Sequence, residues 1–89
     1  MAALDLLGRR WSLRIIWELR DAPVGFREMQ ARCGGMSPTV LSTRLKELEA
    51  ARIIAADEDR RWRLTATGQD LIKAFGPLHT WAERWAEEF

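Results

Sequence analysis

The chain has 89 residues, 47% hydrophobic and 30% charged, with a formal net charge of +1, which fits one globular domain whose small core makes a second chain an expected source of stability. No apolar run approaches the roughly 20 residues that cross a bilayer, and the N-terminus lacks the basic and apolar regions of a secretory signal. A single cysteine, Cys33, excludes an internal disulfide and fits a reducing compartment, so the chain is expected in the cytoplasm.

Residues 2–7 are a short apolar segment stopped at Gly8. Trp11, Leu13, Ile15, Ile16, Trp17 and Leu19 predict a second helix, apolar on most sides, which Asp21, Ala22 and Pro23 end. Val24 and Gly25 suit a very short strand or a turn. A third helix is expected over about residues 26–32, with Phe26, Met29 and Cys33 at helical spacing. Cys33, Gly34, Gly35 and Met36 then form a turn, and Ser37 with Pro38 supplies an N-cap and a first-turn proline for a helix over residues 39–51. Residues 53–56 and 62–64 predict a hairpin around Asp57, Glu58, Asp59, Arg60 and Arg61. Thr65 caps a last helix that carries Leu71, Ile72, Phe75, Leu78, Trp81, Ala82, Trp85 and Phe89, with a bend expected at Gly76 and Pro77. Residues 1–89 thus read as a single domain, mainly α with a short β-hairpin, in the order of a winged helix-turn-helix.

In such a unit one helix braces a second, and the second lays its N-terminal residues in the major groove of duplex DNA. At about 100° per residue, Leu41, Leu45 and Leu48 define a buried face, and Thr39, Ser42, Thr43 and Lys46 cluster opposite it. With Ser37 at the N-cap these are short hydrogen-bonding groups and one cation, suited to phosphates and base edges. Arg44, at the edge of the buried face, has either a phosphate or Glu47 within reach. In the hairpin Arg60, Arg61 and Arg63 suit phosphate contacts, and Asp57, Glu58 and Asp59 oppose them. Charge is uneven: through Arg52 there are nine Lys or Arg against six Asp or Glu, and beyond it five against seven, so phosphate attraction resides in the N-terminal part.

A palindromic site needs two reading heads, and the terminal helices are the expected homodimer surface. Its candidates are Leu4, Leu6 and Leu7 at one end, and Leu78, Trp81, Trp85 and Phe89 at the other. Cys33 reads either as a reactive sensor beside Arg32 or as an apolar filler at a helix end. His79 is the only histidine, so neither a metal-ligand spacing nor a catalytic constellation is present, and no cofactor is expected. The reading from residues alone is a DNA-binding regulator and not an enzyme. A protein-interaction module that uses the aromatic stripe is the alternative, supported by the near-neutral charge and the acidic hairpin.

The sequence resembles the HxlR family of winged helix-turn-helix transcriptional regulators along nearly its whole length. Leu4-Asp5-Leu6-Leu7-Gly8-Arg9-Arg10-Trp11 and Phe26-Arg27-Glu28-Met29 are similar to the family's first-helix end and bracing helix. Gly35-Met36-Ser37-Pro38-Thr39-Val40-Leu41-Ser42-Thr43-Arg44-Leu45-Lys46-Glu47-Leu48-Glu49 resembles its turn and recognition helix. Leu64-Thr65-Ala66-Thr67-Gly68 and Trp81-Ala82-Glu83-Arg84-Trp85 are similar to its strand-to-helix junction and C-terminal helix. The resemblance implies bacterial homodimers that bind operator DNA, usually near their own or a neighbouring gene. Members commonly have a longer wing, and many carry a cysteine ahead of the first helix. The shorter wing here means that the family's wing contacts are not carried over, and this sequence begins without that cysteine, so thiol sensing is not carried over either.

Overall fold

The computed structural model describes residues 2–89. The elements run α1 (Ala2–Leu7), α2 (Ser12–Glu18), α3 (Phe26–Arg32), α4 (Pro38–Ala50), β1 (Ile54–Ala56), β2 (Trp62–Leu64) and α5 (Ala66–Ala86). One core joins them. Ile15, Ile16 and Leu19 come from α2 and its end, Met29 and Cys33 from α3, Leu41, Leu45 and Leu48 from α4, and Ile53, Ile54 and Leu64 from the hairpin.

The joints are fixed by backbone chemistry that the sequence announces. At the end of α3 the Gly35 N–H donates to the Gln30 carbonyl at 2.9 Å and the Gly34 N–H to Ala31 at 3.1 Å. Both glycines have φ of 74°, and this paired bonding is a helix stop that L side chains adopt only under strain. Gln30 Nε2 donates to the Met36 carbonyl at 2.8 Å and closes the turn. Pro38 occupies the first turn of α4, and Ser37 Oγ accepts from the Val40 N–H at 3.5 Å.

β1 and β2 pair antiparallel, with Ile54 opposite Leu64 and Ala56 opposite Trp62. Val24 extends this ribbon: its N–H donates to the Trp62 carbonyl at 2.9 Å and its carbonyl accepts from Trp62 at 2.8 Å. The Thr65 hydroxyl, 2.6 Å from the Arg52 carbonyl, accepts from the Gly68 N–H at 3.1 Å and starts α5. That helix runs unbroken through Gly76 and Pro77, the step at which a bend is expected from sequence. Pro77 has no N–H for the Lys73 carbonyl, and three residues on, the Thr80 hydroxyl donates to the Gly76 carbonyl at 3.2 Å.

Two buried positions carry opposite stability signs. The Ser12 hydroxyl is buried with no hydrogen-bond partner among the described residues, whereas a Cβ at Gly68 would collide with the Ile53 carbonyl. Leaving a buried hydroxyl unpaired costs about 1–3 kcal/mol, so Ser12→Ala is expected to be neutral or to stabilise by about 1 kcal/mol. Gly68→Ala should destabilise by about 2 kcal/mol or more, because rigid backbone stands in the way. Urea unfolding midpoints of the two variants check both signs.

Candidate nucleic-acid interface

Burial orients α4. Leu41 and Leu48 are fully buried and Leu45 nearly so, while Thr39, Thr43 and Lys46 are exposed on the far side. Ser37 is exposed at the N-cap. Ser42 is half-buried, because it lies only about 60° around the helix from Leu45, and it borders the open face. The Thr43 hydroxyl donates to the Thr39 carbonyl at 2.9 Å. Its proton is thereby committed inside the helix, so on this exposed residue the hydroxyl remains available only as an acceptor. The Lys46 side chain enters none of the ion pairs or side-chain hydrogen bonds of α4 among the described residues.

The arginines divide differently. Arg44 Nε donates to the Arg10 carbonyl at 2.9 Å, and its Nη1 lies 2.6 Å from Glu47 Oε1. Its guanidinium is spent inside the protein, with Glu47 taking it up. Arg61 Nη2 donates to the Pro23 carbonyl at 3.1 Å and ties the hairpin to the α2–α3 connection. Arg60, at φ of 60°, is exposed at the hairpin tip. One oxygen of Asp57 accepts from the N–H groups of both Asp59 and Arg61 at 2.9 Å. That carboxylate shapes the tip, and Glu58 and Asp59 remain as its exposed acids.

A second surface lies across α1 and α5. Leu78, Trp81 and Trp85 are about half exposed and Phe89 almost wholly so. Trp81 and Trp85 stack at 6.0 Å and Phe89 meets Trp85 edge-on at 5.0 Å. The stripe continues into an apolar groove of about 300 Å³ lined by Leu4, Leu7, Leu13, Leu71, Phe75 and Leu78. Leu4 is exposed there, while Leu6 and Leu7 are half-buried against their own core. His79 stacks on Trp17 at 4.4 Å. Among the described residues no cluster of His, Cys, Asp and Glu could hold a metal ion, and no helix is long and apolar enough to cross a membrane.

The profile of the HxlR-like helix-turn-helix family matches residues 6–89. The chain belongs to the HxlR family. It is similar to the uncharacterized HTH-type transcriptional regulator YvaP of Bacillus subtilis, at 32% identity over 96% of this chain and 84% of that one. It is also similar to the HTH-type transcriptional regulator YodB of the same organism, at 33% identity over 97% and 82%. The crystal structure of quinone-bound YodB superposes with a TM-score of 0.84 at 35% identity, covering 93% of this chain and 92% of that one. A possible HxlR family transcriptional factor from Thermoplasma volcanium GSS1 shares the fold, with a TM-score of 0.85 at 24% identity over 96% and 82%. This HxlR-family chain is thus a helix-turn-helix transcriptional regulator of the winged type and not an enzyme.

Within this HxlR-family fold Cys33 is buried, its Sγ 4.0 Å from Met29 Sδ. Burial pushes the thiol above its ordinary value, an effect that the Arg14 charge only partly offsets and Glu18 reinforces. A thiol held protonated is a poor nucleophile. Cys33 is therefore expected to react with a thiol reagent only as fast as the chain unfolds. The folded state also holds its thiol proton to higher pH than the unfolded chain does. Stability should therefore fall as pH rises through the ordinary thiol range, and Cys33→Ala should remove that part of the alkaline dependence. Reagent kinetics and unfolding across alkaline pH measure the two effects.

Proposed function

We propose that the chain binds operator DNA sequence-specifically as a homodimer, with the open face of α4 in the major groove. The observation that carries this reading is the division of α4 into a buried leucine face and an exposed face of Ser37, Thr39, Thr43 and Lys46. Thr39 and Thr43 face base edges, Lys46 faces a phosphate, and Ser42 works from the margin. Arg60 is the hairpin's candidate for the DNA backbone, while Arg44 and Arg61 act as internal ties. The function places the chain in the cytoplasm, with the chromosome.

A two-fold dimer must hold its recognition helices about 34 Å apart to meet one turn of duplex. The exposed stripe of α5, with the groove beside α1, supports a second copy as its cover. Fully burying a large apolar side chain contributes roughly 1.5–3 kcal/mol, and Trp81 and Trp85 are already half-covered. The two tryptophans of both copies together then contribute roughly 4 kcal/mol. Replacing both by Ala should weaken dimerisation about a thousandfold, which sedimentation over a concentration series reads. A wild-type chain that stays monomeric at micromolar concentration and still binds a palindromic site tightly would remove the dimer.

The DNA reading is tested by titrating the chain against duplex at two salt concentrations. Lys46→Ala is expected to weaken binding to every sequence and to lower the salt slope by about 1. Thr43→Ala, which removes the acceptor and the methyl of an exposed residue, should change the preference among sequences instead. Wild-type behaviour of both folded variants would mean that another face reads the DNA.

A further inference from the structure

We propose that Arg9, Glu47 and Arg44 form a clasp that sets the tilt of α4 on DNA and fastens that tilt to the corner between α1 and α2. The proposal rests on α4 being the helix that meets the duplex. Glu47 holds two arginines at once: Arg44 Nη1 lies 2.6 Å from one carboxylate oxygen and Arg9 Nε 3.1 Å from the other. Arg44 Nε also donates to the Arg10 carbonyl at 2.9 Å. Among the described residues, the side-chain hydrogen bonds and ion pairs that leave α4 for another element all end at this corner.

The corner is a firm anchor. Trp11 stands at φ of 79°, a conformation that costs a non-glycine residue and persists only where its surroundings hold it. They do so here: the Trp11 carbonyl accepts from the Ile15 N–H at 2.9 Å, and the Arg9 carbonyl accepts from Ser12 at 3.1 Å. The Arg10 guanidinium lies 5.5 Å over the indole, which packs against the core. Arg44 and Glu47 are themselves only 19% and 24% exposed, so water competes weakly for their bond.

The leucines fix the rotation of α4 about its own axis, and the turn before it and the hairpin after it hold its two ends; the polar ties hold its middle turns against the corner and so refine its pitch. Pitch matters for base edges, where hydrogen bonds demand close geometry, and hardly at all for phosphate attraction, which is long-range. Arg9, Glu47 and Arg44 are therefore positioning residues that act on sequence discrimination without touching DNA.

The experiment compares wild type, Arg9→Gln, Glu47→Gln, the double variant and Arg9→Lys. The probes are the duplex that the wild-type chain selects from a random library and poly(dI·dC), each titrated at several salt concentrations. Arg9→Gln changes an exposed side chain, and thermal melting verifies its fold. The expected result is a fall in the affinity ratio of selected to unselected duplex of about fivefold to tenfold, with the salt slope unchanged. Arg9→Lys should restore most of the ratio. The losses of Arg9→Gln and Glu47→Gln should overlap in the double variant rather than multiply, since they break one unit. A salt slope lowered by about 1 with both duplexes weakened alike would make Arg9 a phosphate contact and overturn the clasp. An unchanged ratio would overturn it too. If the wild-type chain binds neither duplex in a salt-dependent way, the DNA reading itself fails and the clasp falls with it.

Discussion

Leu41, Leu45 and Leu48 lie at 2% exposure or less, and the other elements are arranged around their burial. Rotating α4 enough to bring any one of them to the surface would lose roughly 1.5–3 kcal/mol per leucine. The opposite face is therefore presented to solvent whether or not DNA is there. The glycine stop after α3 and the Ser37-Pro38 start fix where the helix begins. The hairpin then closes over its far end through Ile53 and Ile54, which join the same core. The open polar face of α4 is thus produced by hydrophobic packing on the other side of the same helix.

The arginines of this chain are largely structural. Arg14 bonds Glu18 and the Arg32 carbonyl, Arg32 reaches Glu18 and Glu28, Arg44 bridges Glu47 to the Arg10 carbonyl, and Arg61 holds the Pro23 carbonyl. The planar fork of guanidinium suits this use, because it donates to a carboxylate and a carbonyl at once where lysine offers a point charge. The consequence is electrostatic. Although the chain has fourteen basic residues, its net charge is only +1, and several of its guanidinium groups are committed to bonds within the protein. In the proposed reading, discrimination among sequences rests on the hydroxyls of α4 and on the accuracy with which they are placed.

Much of this was legible in the residues. Gly34-Gly35 followed by Ser37-Pro38 can hardly be other than a stop and a start, and the leucine spacing defines a buried face without knowledge of what covers it. The hairpin and the cap at Thr65 follow from short apolar runs around a polar turn. What could not be read depends on pairs distant in sequence. The tie from Arg44 to the Arg10 carbonyl spans 34 residues, and that from Arg61 to Pro23 spans 38. In the sequence Arg44 offered both a phosphate and Glu47, and Arg61 read as a wing cation; nothing local separates an arginine that waits for DNA from one that holds a carbonyl. The half-burial of Ser42 is a subtler case, since its angle to Leu45 was available and its neighbours were not.

The same small size that makes the fold readable leaves apolar surface uncovered. A domain of this length buries only a modest share of its surface, and here the remainder is concentrated along α5 and the groove beside α1 rather than scattered. Trp81 already stacks on Trp85, and Phe89 meets Trp85 edge-on, so covering them costs less side-chain entropy than ordering free rotamers would. A second copy placed there would add stability to each chain and set the spacing of the two reading heads in the same step. The clasp then acquires its meaning from position. It joins α4 to the corner where α1 ends, so the surface that would pair two copies and the surface that would read DNA are separated by one carboxylate and two arginines.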